Sequence, residues 1–173
     1  MSRQHTIAIS PEFKFLFLYP EGLLSSYVSL MWASEGTPPY AQERIVPDGA
    51  CVLILNFGQP VASSTKNAQK DIKKTFFAGV FTHHSDLYYP PGAGVHRQMG
   101  VIFKPAGAYP FVQIPLSAFK NTALETEAFE NRQFDEWHDQ LSHITALDQR
   151  LYCLEGLLQR TLARNYDATL APT

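Results

Sequence analysis

The sequence is poor in cysteine, has no long apolar run, carries no excess of positive charge and lacks the short motifs of the common catalytic folds. Cys51 and Cys153 are the only cysteines in 173 residues. With no CxxC spacing they suggest neither a disulfide framework nor a zinc site, and they read as reduced, packed thiols in a cytoplasmic protein. The opening stretch, MSRQHTIAIS, lacks the apolar core of a signal peptide, and no segment is long enough to span a bilayer as a helix. A formal net charge of −2 removes any global attraction to nucleic acid or to an anionic membrane surface. There is no P-loop, no GxGxxG after a strand, no GxSxG elbow and no HExxH helix. Nucleotide-binding, serine-hydrolase and zinc-protease chemistry therefore find no support in the chain.

What is present is organised around Glu43 to Pro60, E-R-I-V-P-D-G-A-C-V-L-I-L-N-F-G-Q-P. Pro47-Asp48-Gly49 is a turn: proline presets φ, aspartate bonds back to the backbone, and glycine takes the conformation that strains other residues. Ala50 to Phe57 is a short apolar run closed by Gly58 and Pro60, the pattern of a strand buried on both faces. The remainder of the chain is expected to cover it.

In chain order, residues 1–12 read as a poorly anchored lead-in and Phe13 to Tyr19 as a strand. Tyr27 to Trp32 is the next strand, followed by a loop from Ala33 to Gln42. Beyond the central strand come a short strand over Val61 to Thr65 and a basic, solvated hairpin loop over Lys66 to Lys74. Thr75 to Thr82 is a strand in which Gly79 marks a bulge or a close backbone approach. Asp86 to Tyr89 and Val95 to Phe103 are further strands, and Pro105 to Phe119 is a short helix with turns. Asn131 caps a helix with apolar Phe134, Trp137, Leu141 and Ile144, and Thr145 with Asp148 resembles a capping box. Leu147, Leu151, Leu154, Leu158 and Leu162 stripe a final helix at steps of four and three, the spacing of a coiled-coil seam or of packing on the protein's own sheet. Strands first and helices last predict an α+β fold: a curled antiparallel sheet or β-barrel followed by a C-terminal helical pair. The expected division is a β domain over 1–128, a helical hairpin over 129–166 and a tail over 167–173.

The histidines offer little to a metal. His83 and His84 are adjacent and point to opposite faces of a strand, and the chain has no HxH pair. Pro90-Pro91-Gly92 with His96 resembles the P-x-G-x-x-H element of cupin metal sites, with the histidine one place late. No metal and no cofactor is expected. Ligand contacts are the better reading for His96 and Arg97, at the end of a strand beside the glycine-rich Pro90–Gly94 loop. Asn56 shares parity with Val52 and Ile54, as one amide among aliphatics in a small-molecule pocket; the alternative is a structural amide bonding a nearby turn. Arg44, Tyr88 and Trp32 complete the candidate binding set.

Several segments together resemble the N-terminal sensing domain of a group of AraC-type bacterial transcription regulators. They are Tyr27-Val28 with Trp32, Arg44 to Gly49, Leu53 to Gly58 with Asn56, then Gly79. Gly100-Val101-Ile102-Phe103-Lys104-Pro105-Ala106-Gly107-Ala108-Tyr109 is the most specific piece, and Asp148 to Leu158 resembles the helix that precedes the DNA-binding half. The match runs from about Pro11 to Leu162. Val52 departs from it, standing where the group often has an acidic residue. The resemblance implies a cupin-like β domain that senses a small-molecule effector or mediates dimerisation. It also implies that DNA is reached only through helix-turn-helix units, which this chain lacks. A homodimer through the leucine-striped helix is the associated expectation. The competing readings are a small cupin-type enzyme, an isomerase or lyase using histidine, and a structural interaction module with a filled barrel.

Overall fold

The computed structural model describes residues 3–65, 69–92 and 94–166. The strands, in chain order, are β1 (Arg3–Ser10), β2 (Phe13–Tyr19), β3 (Val28–Gly36), β4 (Gln42–Ile45), β5 (Cys51–Asn56), β6 (Val61–Thr65), β7 (Gln69–Ile72), β8 (Thr75–Ala78), β9 (Ser85–Tyr88), β10 (His96–Phe103) and β11 (Ala123–Glu125). The helices are α1 (Tyr109–Val112), α2 (Gln133–Ser142) and α3 (Leu147–Asn165), with short 3-10 turns between elements. The strands form two antiparallel sheets, seven-stranded in the order β1-β2-β3-β10-β5-β8-β11 and four-stranded in the order β4-β9-β6-β7. The fold is α+β with a curled pair of sheets and C-terminal helices, and the sheets do not close into one barrel.

The turn before β5 forms as its residues dictate. Asp48 Oδ1 accepts a hydrogen bond from the Ala50 N–H at 2.9 Å, and Gly49 sits at φ 80°, where a Cβ would be strained. β5 lies between β10 and β8, and its two faces meet different surroundings. Cys51, Leu53 and Leu55 are buried in the main core together with Met31, Met99, Val101, Phe103 and the leucines of α3. Val52 and Ile54, on the other face, are only partly buried and line a cavity between the sheets. Strand alternation thus separates a solid helix-backed core from an open interior.

α2 begins where expected: Asn131 Oδ1 accepts from the Gln133 N–H at 3.0 Å. α3 begins without a side-chain cap, so Thr145 and Asp148 form no capping box. All five leucines of the α3 stripe are buried, as is Leu157, leaving no leucine seam on this helix for a second chain. In this chain the stripe packs into the protein's own core.

Three local expectations are corrected. The lead-in is strand β1, paired with β2 from Arg3 to Ser10 with a register shift at Ile9, because β2 offers it a hydrogen-bonding edge. Within the basic loop, residues 69–72 form β7, whose Ile72 is buried while Gln69, Lys70 and Asp71 face solvent. β3 runs on to Gly36, so the following loop is shorter than expected. The tail over 167–173 lies outside the described residues.

Leu154 has no exposed surface. Leu154→Ala is expected to cost about 2–5 kcal/mol in a denaturant titration, and Leu154→Asp to abolish cooperative folding. Gln149→Ala, on the exposed side of the same helix, should stay within about 0.5 kcal/mol of the parent.

Candidate functional site: a cavity between the two sheets

The cavity encloses about 490 Å³ between the inner face of the large sheet and the small sheet. Its floor follows from parity. Phe13, Phe15 and Phe17 come from β2; Leu30, Trp32 and Ser34 from β3; Val52 and Ile54 from β5; and His96, Gln98 and Ile102 from β10. The small sheet contributes Glu43, Ser63, Leu87 and the adjoining Tyr89. Trp32 fits because its cross-strand neighbour is Gly100: a Cβ there would lie 2.3 Å from the indole. Ile7 and Ile9 of β1 and Ile45 and Val46 at the end of β4 line the cavity and are exposed, placing its mouth between the outer strands of the two sheets.

One group of polar side chains lies around Tyr89. The Tyr89 hydroxyl donates to Glu43 Oε2 at 3.1 Å, and its ring meets His96 edge-on at 5.0 Å and Tyr40 at 5.7 Å. Phe13 closes the row, 6.1 Å from Tyr40. Burial, reinforced by the neighbouring Glu43 carboxylate, pushes the Tyr40 phenol up to about 12 and the Tyr89 phenol higher still, so both stay protonated donors. His96 Nδ1 and Gln98 Nε2 are buried and have no hydrogen-bond partner among the described residues. Buried polar atoms of this kind are rare, since leaving one unmade costs about 1–3 kcal/mol. Here both belong to side chains that line the cavity.

The residues singled out from sequence divide by strand parity. Trp32 and His96 line the cavity. Arg44 and Tyr88 do not: they alternate with the lining residues Glu43 and Tyr89, and Arg44 is engaged bidentately by Asp86 at 2.7 and 2.9 Å. Arg97 pairs with Glu35 at 2.6 Å. Asn56 has the parity of Val52 and Ile54 but sits at the strand end, where its amide is consumed by backbone. Its Nδ2 donates to the carbonyls of Gln59, Ile72 and Lys73 at 2.9–3.2 Å, and its Oδ1 accepts from the Gly58 N–H at 3.2 Å. This is the structural alternative for Asn56. Glu43, Tyr40, Tyr89 and Gln98 were not anticipated; Gln98 was within reach, sharing parity with His96.

No group of three or more His, Cys, Asp or Glu that could hold a metal converges among the described residues. No helix among them is long and apolar enough to cross a membrane.

A family model described as a domain of unknown function (DUF6597) matches residues 17–125, from the middle of β2 to the end of β11. The chain belongs to the DUF6597 family. The DUF6597 match thus takes in most of the cavity wall and leaves out β1 and the three helical elements α2, α3 and the turn before them. No curated protein matches the sequence. Among solved structures, the Cupin_2 domain of an XRE family transcriptional regulator from Enterobacter cloacae aligns with TM-score 0.43 and 8% identity, covering 54% of this chain and 98% of that one. Hydroxypropylphosphonic acid epoxidase from S. wedmorenis aligns with TM-score 0.43 and 10% identity, covering 58% of this chain and 55% of the enzyme. An HTH_3 family transcriptional regulator from Vibrio cholerae gives 0.41 and 9%, covering 54% and 52%. The chain thus spans about half the length of the epoxidase and of the Vibrio regulator.

Burial lowers the His96 pKa below the ordinary 6.5, so the folded DUF6597 domain resists a proton that the unfolded chain accepts. Its stabilising contribution is complete above the ordinary value and is lost as pH falls toward the lowered one. Unfolding free energy should therefore decline from pH 7.5 to 5, with a slope from this group of up to about 1.4 kcal/mol per pH unit. His96→Gln should remove that component of the slope in urea titrations at a series of pH values.

Proposed function

We propose that this domain is a sensor: it binds a small organic molecule between its two sheets and passes the bound state on, rather than transforming the ligand. The observation that carries this reading is the composition of the cavity. Aromatic and aliphatic side chains form most of its wall, and polar groups are set into it, among them the unpartnered His96 Nδ1, Gln98 Nε2 and His83 Nε2. Such a surface supplies affinity by apolar burial and orientation by a small number of hydrogen bonds. At about 490 Å³ the space suits a molecule of one or two rings.

On this proposal the domain is the effector-binding part of an AraC-type regulator, whose DNA-binding units are separate from it. The support is the order and spacing of the segments from Tyr27 to Leu158 that resemble that group, together with the placement of Trp32 in the cavity wall. If the domain also dimerises, it does so through a surface other than the leucine stripe of α3, which is buried.

The test uses N-phenyl-1-naphthylamine, an apolar fluorophore that brightens when it leaves water. Saturable enhancement at one site per chain is expected. Val52→Trp and Ile54→Trp fill the cavity from β5 and should weaken binding by about tenfold or more, equivalent to about 1.4 kcal/mol. Circular dichroism should show the fold retained in both. Equal binding by parent and both filled variants would refute the cavity as the ligand site.

A further inference from the structure

The cavity wall has a definite charge character. Among the described residues that line the cavity there is no lysine or arginine; the formally charged side chains are Glu43 and Asp48. Asp48 is occupied by its own turn, accepting from the Ala50 N–H. Glu43 is only partly buried, receives one hydrogen bond from the Tyr89 hydroxyl, and has no ion-pair partner among the described residues. Two basic groups of the adjacent strands are already paired. Arg44 is held by Asp86 and Arg97 by Glu35.

Around Glu43 the aromatic rings meet at right angles. Phe13 and Tyr40 stand at 85°, Tyr40 and Tyr89 at 76°, and Tyr89 and His96 at 85°. In an edge-to-face pair the positive edge of one ring meets one negative face of its neighbour, and the neighbour's other face stays free. An organic cation is attracted to the face of a Tyr or Phe ring, and the attraction strengthens when both are out of water. A carboxylate at the same place adds a charge complement that an anionic ligand would have to bury against like charge. Burial lowers the pKa of His96, so it stays neutral and adds no opposing positive charge near neutral pH.

Resting on the reading of the cavity as a ligand site, we propose that its ligand is an organic cation with an apolar body: a protonated or quaternary amine seated between Glu43 and the rings of Tyr40 and Tyr89, its hydrocarbon part running toward Trp32 and Ile54. Carboxylates, sulfonates and phosphates are disfavoured beside Glu43, while the Gln98 N–H is left for an acceptor elsewhere on the ligand.

Three probes of equal shape and different charge test it: 1-naphthylmethylamine, 1-naphthalenemethanol and 1-naphthoic acid, each competing with N-phenyl-1-naphthylamine at pH 7.5. The amine should bind at least about tenfold more tightly than the acid, with the alcohol between them. In Glu43→Gln, whose amide can still accept from Tyr89, the amine should lose its advantage over the alcohol. Acid binding as tightly as amine to the parent chain, or an amine advantage that survives in Glu43→Gln, would overturn the cation proposal while leaving the cavity as a ligand site. Failure of the fluorophore and of all three probes to bind would overturn both.

Discussion

The constraint on which the structure depends is that β5 and β10 serve two different interiors with their two faces. On one face, Leu53, Leu55, Met99 and Val101 are fully enclosed against the helices, in a core whose burial stabilises the domain. On the other, Val52, Ile54 and Ile102 bound a space that the small sheet covers without filling. Two sheets packed directly would interdigitate about 10 Å apart. Here the bulky side chains of β2 and β3, Phe15, Phe17 and Trp32, stand between them and hold the space open on the mouth side. The deep side is closed by the smaller cluster of Val61, Ile72, Phe76 and Tyr89.

Two single residues make that arrangement compatible with the backbone. Gly100 gives up its side chain so that the Trp32 indole can lie across β10. Asn56 ends β5 by supplying hydrogen bonds that no further strand pairing provides. Its side chain ties together the turn at Gly58 and Gln59 and the end of β7, and its carbonyl receives His138 Nε2 of α2 at 2.8 Å. His138 in turn stacks on Phe57 at 4.6 Å, with the Arg150 guanidinium 4.7 Å from the same ring. An amide at the junction of both sheets and a helix is thus a positional requirement of the fold, because several buried carbonyls and an N–H converge there.

How much of this was legible in the sequence follows from the periodicities involved. The β5 run, the Pro47-Asp48-Gly49 turn and the α3 leucine stripe are local patterns whose physical causes lie within a few residues, and each was readable. β1, β7 and β11 were not. Their polar or short segments become strands only because a neighbour offers them a hydrogen-bonding edge. The site was half legible for a related reason. A strand shows its two faces to sequence inspection with equal weight, and a one-residue choice exchanges inside for outside. Arg44 and Tyr88, candidates from the sequence, turn away from the cavity, while their neighbours Glu43 and Tyr89 face it. The Tyr89–Glu43 bond joins positions 46 apart in the chain, brought together by the β4–β9 pairing. No spacing rule announces a contact of that kind.

The double duty of β5 and β10 also determines where a bound molecule's influence can go. A close-packed interior yields to displacement as a unit, because no voids absorb the strain. A ligand that pushes on Trp32, Ile54 or Ile102 acts on strands whose opposite side chains share one core with the leucines of α3, a helix that packs most closely on β3 and β2. That helix is not free to adjust residue by residue. Its far end is anchored by Asn165, whose Nδ2 donates to the Pro110 carbonyl at 2.8 Å, and by Arg164, which reaches Gln133 of α2 at 3.3 Å. Gln133 also donates to the Phe111 carbonyl, so α1, α2 and the end of α3 are knitted together. A shift of the central strands is therefore taken up by the three helices as a group. On the reading of the cavity as a ligand site, recognition belongs to one side of the large sheet and the response to the helices knitted together on the other.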